Sequence, residues 1–177
     1  MEVRYDMELH LEKKNALILA SSQGLGKAMA AELVKEGANV MLASRDGEKL
    51  AAVQRELSQL GTGKVSYKVT DITKAEDIKS LVAQTAEQFG GIDILINNAG
   101  GPPGGSFSDF NDEEWQQSFE LNLLSFIRTI RESLPHLKKQ GGKIVNIASS
   151  SIKEPIPGLI LSNTFRTAIV GLSKTLA

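Results

Sequence analysis

The sequence predicts an α/β protein: a doubly wound parallel sheet with helices on both faces. Short runs that are apolar throughout alternate with longer stretches of helical periodicity. The runs do not alternate apolar with polar residues, so their strands are buried on both faces, as in a parallel sheet covered by helices. Each connection is long enough for a helix, and right-handed crossovers then wind those helices onto both sides.

The first strand is ALILA (16–20), and the helix after it covers 25–36 with Ala28, Ala31, Leu33 and Val34 facing inward. NVMLA (39–43) is the second strand; 46–60 is the second helix, ended by Gly61. VSYKV (65–69) is the third strand. TKAE (73–76) has the form of a capping box, in which the Thr73 hydroxyl takes a free amide and Glu76 reaches back. Behind it Ile78, Leu81, Val82, Thr85, Ala86 and Phe89 recur at helical spacing. IDILIN (92–97) is the fourth strand, and GGPPGGS (100–106) is a loop too short to separate domains. Asn111 and Glu114 open a long helix to about Lys139, and KIVNIA (143–148) is the fifth strand. A last helical pattern runs from about Ser162. It reaches Ala177 with no stop signal, and five strands are one short of a full dinucleotide fold. The expectation is a single domain over 1–177 that forms the N-terminal part of a longer protein.

The composition is that of an ordinary soluble globular protein, 41% apolar and 23% charged, with a formal net charge of -1. Acidic and basic residues are interspersed, which argues against nucleic acid as a partner. There is no Cys, which excludes disulfides and thiolate metal sites. His10 and His136 stand in no metal-ligand spacing. No apolar run approaches the ~18 residues of a membrane span, and the charged N-terminus lacks the apolar stretch of a signal peptide. A cytoplasmic setting is expected.

The stretch SSQGLGK (21–27), between a buried strand and a helix, is the first that points to a ligand. Gly24 and Gly26 let backbone approach a pyrophosphate, and the helix start offers free amides and a positive dipole end. The alternative is a tight turn that binds nothing.

Five segments together carry a resemblance. LASSQGLGKAMA, VTDIT (69–73), NNAG (97–100), LNL (121–123) and IVNIAS (144–149) occur in the order and at about the spacings of the short-chain dehydrogenase/reductase family. The likeness runs from Met7 on, with residues 1–6 as an extension. It implies that Ala20, Ser22, Gln23, Gly24, Leu25 and Gly26 form the turn that holds the cofactor. The family pattern begins Thr-Gly where this chain has Leu19-Ala20, so Ala20 is strained if it needs a positive φ. The second strand ends Ala43-Ser44-Arg45 with no acid at its tip, and Ser44 and Arg45 can both donate to a 2′-phosphate. In this family that pattern implies NADP(H); the alternative for Arg45 is a solvated charge beside Asp46 as helix cap. By resemblance Asp71, with the Ile72 backbone, bonds the adenine, a role compatible with capping the next helix. Asn98, Ala99 and Gly100 line the cofactor, unless Asn98 only fixes its own loop.

The family transfers hydride between a nicotinamide and a carbonyl or alcohol, using Asn, Ser, Tyr and Lys. Asn122 and Ser149 match the first two. Aligning AIVGLSKTLA (168–177) with the continuation of the family's YxxxK helix sets Ser162 at the Tyr position and Arg166 at the Lys position. An aliphatic hydroxyl is a far weaker acid than a phenol, and Arg keeps the charge but stays protonated. Neither Tyr5 nor Tyr67 is placed to substitute. Three readings follow. In the first, an atypical reductase uses Ser149, Ser162 and Arg166 to polarise the carbonyl, with a water held by Asn122 or Ser162 as proton source. In the second, the chain is an NADP(H)-binding sensor or scaffold. In the third, SNTFR (162–166) is only a helix face, and the register is off by a turn.

The motif wording is nearest to the 3-oxoacyl-thioester (acyl carrier protein) reductase branch. The loop over 151–161 is apolar with two prolines; it suits the wall of a hydrophobic substrate site or a surface under further chain. Trp115, Phe119, Leu123, Phe126 and Ile130 give the long helix more apolar face than one sheet contact needs. In the family this helix and the last one form a four-helix interface, so a homodimer or homotetramer is expected.

Overall fold

The computed structural model describes residues 9–177; the extension over 1–6 and Tyr5 lie outside them. Five strands form one parallel sheet: β1 (Asn15–Leu19), β2 (Asn39–Ser44), β3 (Val65–Val69), β4 (Ile94–Asn97) and β5 (Lys143–Asn146), in the order β3-β2-β1-β4-β5. The order reverses beside β1, which pairs with β2 on one side and β4 on the other. This is the doubly wound Rossmann arrangement, whose crevice lies at the carboxyl ends of the strands flanking the reversal.

Successive side chains of β1 point to opposite faces. Ala16 and Ile18 meet Ala30 and Val34 of α1 (Gly24–Lys35) and Leu50, Val53 and Leu57 of α2 (Gly47–Leu57). Leu17 and Leu19 meet Leu81 and Val82 of α3 (Ala75–Phe89), Phe126 and Ile130 of α5 (Ser125–Gln140), and Ile169 of α6 (Ile160–Leu176). Tyr67 packs at the edge of the first of these layers. The three central strands are therefore buried on both sides, whereas the edge strands are not: β3 carries Ser66 and Lys68 and leaves Val69 exposed, and β5 leaves Val145 exposed.

Several element boundaries differ from the sequence expectation, each for a local reason. In α1 the buried face is Gly26, Ala30 and Val34, while Ala28 points to solvent. A Cβ at Gly26 would collide with the Ala20 carbonyl oxygen, so the helix packs through that glycine and the face is set from there. α2 ends three residues before the expected 60, and α6 begins at Ile160 rather than Ser162.

The expected capping box at Thr73 and Glu76 is absent. The cap of α3 is Lys74, with no side-chain bond, and the Thr73 hydroxyl instead donates to Asp71 Oδ1 at 2.7 Å. Asp77 Oδ2 takes the Asp71 amide. A carboxylate two residues upstream draws the Thr73 amide and hydroxyl into its own turn, which competes with the cap.

The long helix is not continuous. Its start is as expected: Asn111 caps α4 (Asp112–Phe119) by accepting from the Glu114 amide, while Glu114 accepts from the Asn111 amide. Between α4 and α5, however, Glu120–Leu124 forms one π turn.

Candidate functional site

The carboxyl ends of β1, β2 and β4 open into a cleft of about 540 Å3. The turn after β1 supplies Ala20, Ser22, Gln23, Gly24 and Leu25 to its lining. Ala20 has φ +48 and Gly24 φ +55, so the alanine sits in the left-handed region that its Cβ disfavours. Gly26 does not line the cleft; it is buried between the turn and α1 and serves close packing. Gln23 caps α1 without a side-chain bond, so the first amides of the helix have no acceptor from their own cap. No heavy atom lies within 4 Å of where a Cβ would stand on Gly24 or Gly100.

The far rim carries Ser44, Arg45, Asp71 and Ile72 as expected. Three residues not anticipated as lining, Lys49, Thr70 and Leu121, join them, as does Asp46. Lys49 stands three residues into α2 from Asp46, whose carboxylate accepts the Lys49 amide at 3.0 Å and pairs with its ammonium at 3.2 Å. Their i,i+3 spacing was the available signal. The amide and side-chain bonds from Lys49 hold the Asp46 carboxyl below its ordinary pKa. Burial pushes the Asp71 carboxyl up, but the Thr73 hydroxyl and amide, with Lys74 and Arg45 nearby, outweigh it and leave its pKa lowered.

β4 contributes the loop Asn98, Ala99 and Gly100. Asn98 Nδ2 donates to the Ala20 carbonyl at 3.3 Å, tying this loop to the glycine turn. The same loop reaches the catalytic candidates. Arg166 on α6 is 6% exposed, with no ion pair to a described carboxylate. Its Nη1 donates to the Ile147 carbonyl at 2.8 Å and its Nη2 to the Ala99 carbonyl at 3.4 Å. The guanidinium thus joins the segments that follow β4 and β5. Burial lowers its pKa, which removes none of its charge near neutral pH.

Ser162, one turn earlier on α6, is buried at 8% exposure. α6 packs against both the π turn that holds Asn122 and the 3-10 turn Ser150–Ile152 that follows Ser149, and none of Asn122, Ser149, Ser162 and Arg166 lines the cleft. Asn122 is buried within the π turn; its Nδ2 donates to the Ser118 carbonyl at 3.3 Å, and its Oδ1 has no partner. An orphaned buried acceptor at a π turn marks a place where water or a ligand group completes the bonding. Ser149 Oγ accepts the Ser151 amide at 3.2 Å, capping the 3-10 turn. Its hydroxyl proton is not used in that bond.

The residues present fit a dinucleotide. Open backbone at Gly24, uncapped helix amides and a rim with Arg45 and Lys49 suit a pyrophosphate and a second anionic group. No cluster of metal-ligating side chains occurs among the described residues, and none of their helices is long and apolar enough to cross a membrane.

A family model described as short chain dehydrogenase matches residues 14–177. An oxidoreductase, YvrD, of Bacillus subtilis (strain 168) is 39% identical over 97% of this chain and 64% of its own length. The D-beta-hydroxybutyrate dehydrogenase of Rhizobium meliloti (strain 1021) is 38% identical over 93% of this chain and 64% of its own. The chain thus spans less than two thirds of the length of these relatives. Among solved structures, L-sorbose reductase from Gluconobacter frateurii, complexed with NADPH and L-sorbose, superposes with a TM-score of 0.92 at 32% identity, over 96% of this chain and 65% of that one. An NADPH-bound short chain oxidoreductase from Pseudomonas aeruginosa PAO1, described as containing an atypical catalytic center, gives 0.89 at 27% identity over 94% and 66%.

Proposed function

The chain belongs to the short chain dehydrogenase family, and we propose that it is an NADP(H)-dependent oxidoreductase acting between a nicotinamide and a carbonyl or alcohol substrate. The observation that carries this reading is Arg166: a buried guanidinium, bonded to the Ala99 carbonyl of the cleft loop, where the family has its Lys. A bound NADPH would supply the hydride. The chain's own residues would do the rest. The glycine turn and the α1 amides hold the pyrophosphate, and Ser44 and Arg45, with Lys49 beside them, hold the 2′-phosphate. Asp71 and the Ile72 backbone receive the adenine. Ser149 and Ser162 donate hydrogen bonds to the carbonyl oxygen, and the Arg166 charge favours the negative charge that develops there. A water held by Asn122 Oδ1, or by Ser162, would supply the proton that the alkoxide takes up after hydride transfer.

A second reading, that of a sensor or scaffold which binds NADP(H) without turnover, is favoured by one observation. None of Asn122, Ser149, Ser162 and Arg166 lines the nucleotide cleft, and Ser162 is too weak an acid to replace a phenol unaided.

The substrate class we favour is a 3-oxoacyl thioester or another carbonyl with an apolar arm, given the apolar loop that follows Ser149. NADPH and NADH binding by fluorescence, then NADPH oxidation with 3-oxoacyl thioesters, diketones and quinones, tests the reading. Turnover that falls at least about tenfold in both Ser149→Ala and Arg166→Ala supports the enzyme. Tight NADPH binding with no turnover supports the sensor, and equal binding of NADH removes the assignment to NADP(H). A cytoplasmic homodimer or homotetramer completes the proposal.

A further inference from the structure

The segment Glu154-Pro155-Ile156-Pro157-Gly158 leads from the 3-10 turn to α6. Prolines lack an N–H, so in Pro-Ile-Pro the Ile156 amide is the only donor, and no repeating structure can satisfy it. The structure meets that demand with one side chain. Asn163 Oδ1 accepts from the Ile156 amide at 3.3 Å, and Asn163 Nδ2 donates to the Ile156 carbonyl at 3.0 Å. The side-chain amide thus stands in for the peptide of a paired strand.

Two further bonds fix the same loop. The Leu159 amide donates to the Ile156 carbonyl at 3.2 Å, across Pro157 and a Gly158 with φ +74. Pro followed by a left-handed Gly is the signature of a type II turn. The Gly105 amide then donates to the Gly158 carbonyl at 2.6 Å, and Gly105 and Leu159 form an isolated parallel bridge. A Cβ on Gly105 would stand 2.6 Å from the edge of the Phe110 ring, so any larger residue there must displace that ring. The glycine–proline loop over 100–106, which rims the nucleotide cleft at Gly100, is therefore stitched to the Pro-Ile-Pro loop. Against the latter lies an open concavity of about 400 Å3, lined by Ser150, Lys153, Glu154, Pro155, Ile156 and Pro157. It begins one residue after Ser149.

We infer that Asn163 is a positioning residue and Ile156 a specificity-determining one: Asn163 holds Ile156 as the fixed apolar wall against which the substrate's apolar arm seats. The inference rests on the reductase reading above for its substrate, and on the hydrogen bonds alone for the clamp. Asn163 is next to Ser162 on the helix, so the element that sets the carbonyl also sets the wall.

The test compares the wild type, Asn163→Ala and Ile156→Ala in the full chain. Amide hydrogen exchange at Ile156 and trypsin cleavage after the exposed Lys153 read the clamp. Both should be about tenfold faster in Asn163→Ala and unchanged in Ile156→Ala, where the backbone bonds remain. With diacetyl and a diketone bearing a hexyl arm as probes, both variants should raise KM about fivefold for the long-armed probe only. kcat and NADPH affinity should hold. Unchanged exchange and cleavage in Asn163→Ala overturn the clamp. Faster exchange with the same KM in both variants overturns the wall. A fall in kcat with KM constant assigns Asn163 to the chemistry instead and also overturns the proposal. A wild type that reduces neither diketone nor any thioester overturns the reductase reading and the wall with it, while exchange still decides the clamp.

Discussion

Ala20 and Gly26 meet at one point, where the carbonyl of the first would collide with any Cβ on the second. The glycine of the family pattern that matters for packing is retained there, while the strain falls on Ala20, at φ +48. A left-handed alanine costs on the order of 1 kcal/mol, more than the entropy a glycine loses on folding. Ala20→Gly is therefore expected to stabilise the chain by about 0.5 kcal/mol and to tighten NADPH binding, read by chemical denaturation and fluorescence titration. Gly26→Ala should do the opposite, at a cost of about 2 kcal/mol or more, because a methyl there is overpacked against backbone. The strain at Ala20 was legible in the sequence as a departure from Thr-Gly. The bonds of Arg166 were not: a charge in that helical stretch predicts a partner, and only the folded chain offers two carbonyls in place of a carboxylate.

At the scale of elements, sequence reading succeeded where apolar spacing alone decides. The three central strands and the buried face of α3 followed from it, because burial on both sides leaves no alternative placement, and the edge strands β3 and β5 followed from their short apolar runs between helices. It failed where polar side chains compete for backbone groups. Thr73 was drawn to Asp71 and so left the cap of α3. The π turn was hidden because Ser118 and Asn122, both buried, carry no apolar signal through that stretch. The turn at Asp71 also makes a pH prediction. Its folded pKa lies below the unfolded value of 3.8. Above that value both states are ionised and the stabilisation is fully present. As pH falls below it, the unfolded chain binds the proton first, and the stabilisation is lost as the folded pKa is passed. The loss of stability as pH falls below about 4, followed by urea titration, should be shallower in Asp71→Asn.

On the whole molecule, one surface stands out from the charged, mixed remainder. Trp115 meets Phe107 at 6.2 Å and Phe165 at 5.8 Å, and Phe119 meets Phe165 at 6.0 Å, with edge or tilted ring geometry. Phe107 is 75% exposed. These rings lie on α4, α6 and the 3-10 turn before α4, while Phe126 and Ile130, counted in the apolar excess of the long helix, belong to the core; the rings are the part of that excess left for the expected self-association. Trp115→Ala with Phe165→Arg should convert an oligomer to a monomer in light scattering at micromolar concentration, because an aromatic anchor and a buried charge act against the same contact. A wild type that is already monomeric at that concentration removes the expected assembly.

The central position of β1 also governs how the chain can reach this structure. Its contact with β2 joins residues 24 apart, at Asn15 and Asn39, whereas its contact with the β4 side joins residues 78 apart, at Asn15 and Asp93. With no hairpin anywhere in the sheet, every pairing must wait for the crossover between its strands. Closing the longer loop costs about 1 kcal/mol more chain entropy than closing the shorter. β1, β2 and β3 are thus free to assemble first. The nucleotide cleft, which needs β4, depends on the longest of these closures, so in a refolding experiment dinucleotide binding is expected to appear no earlier than the pairing of β1 with β4.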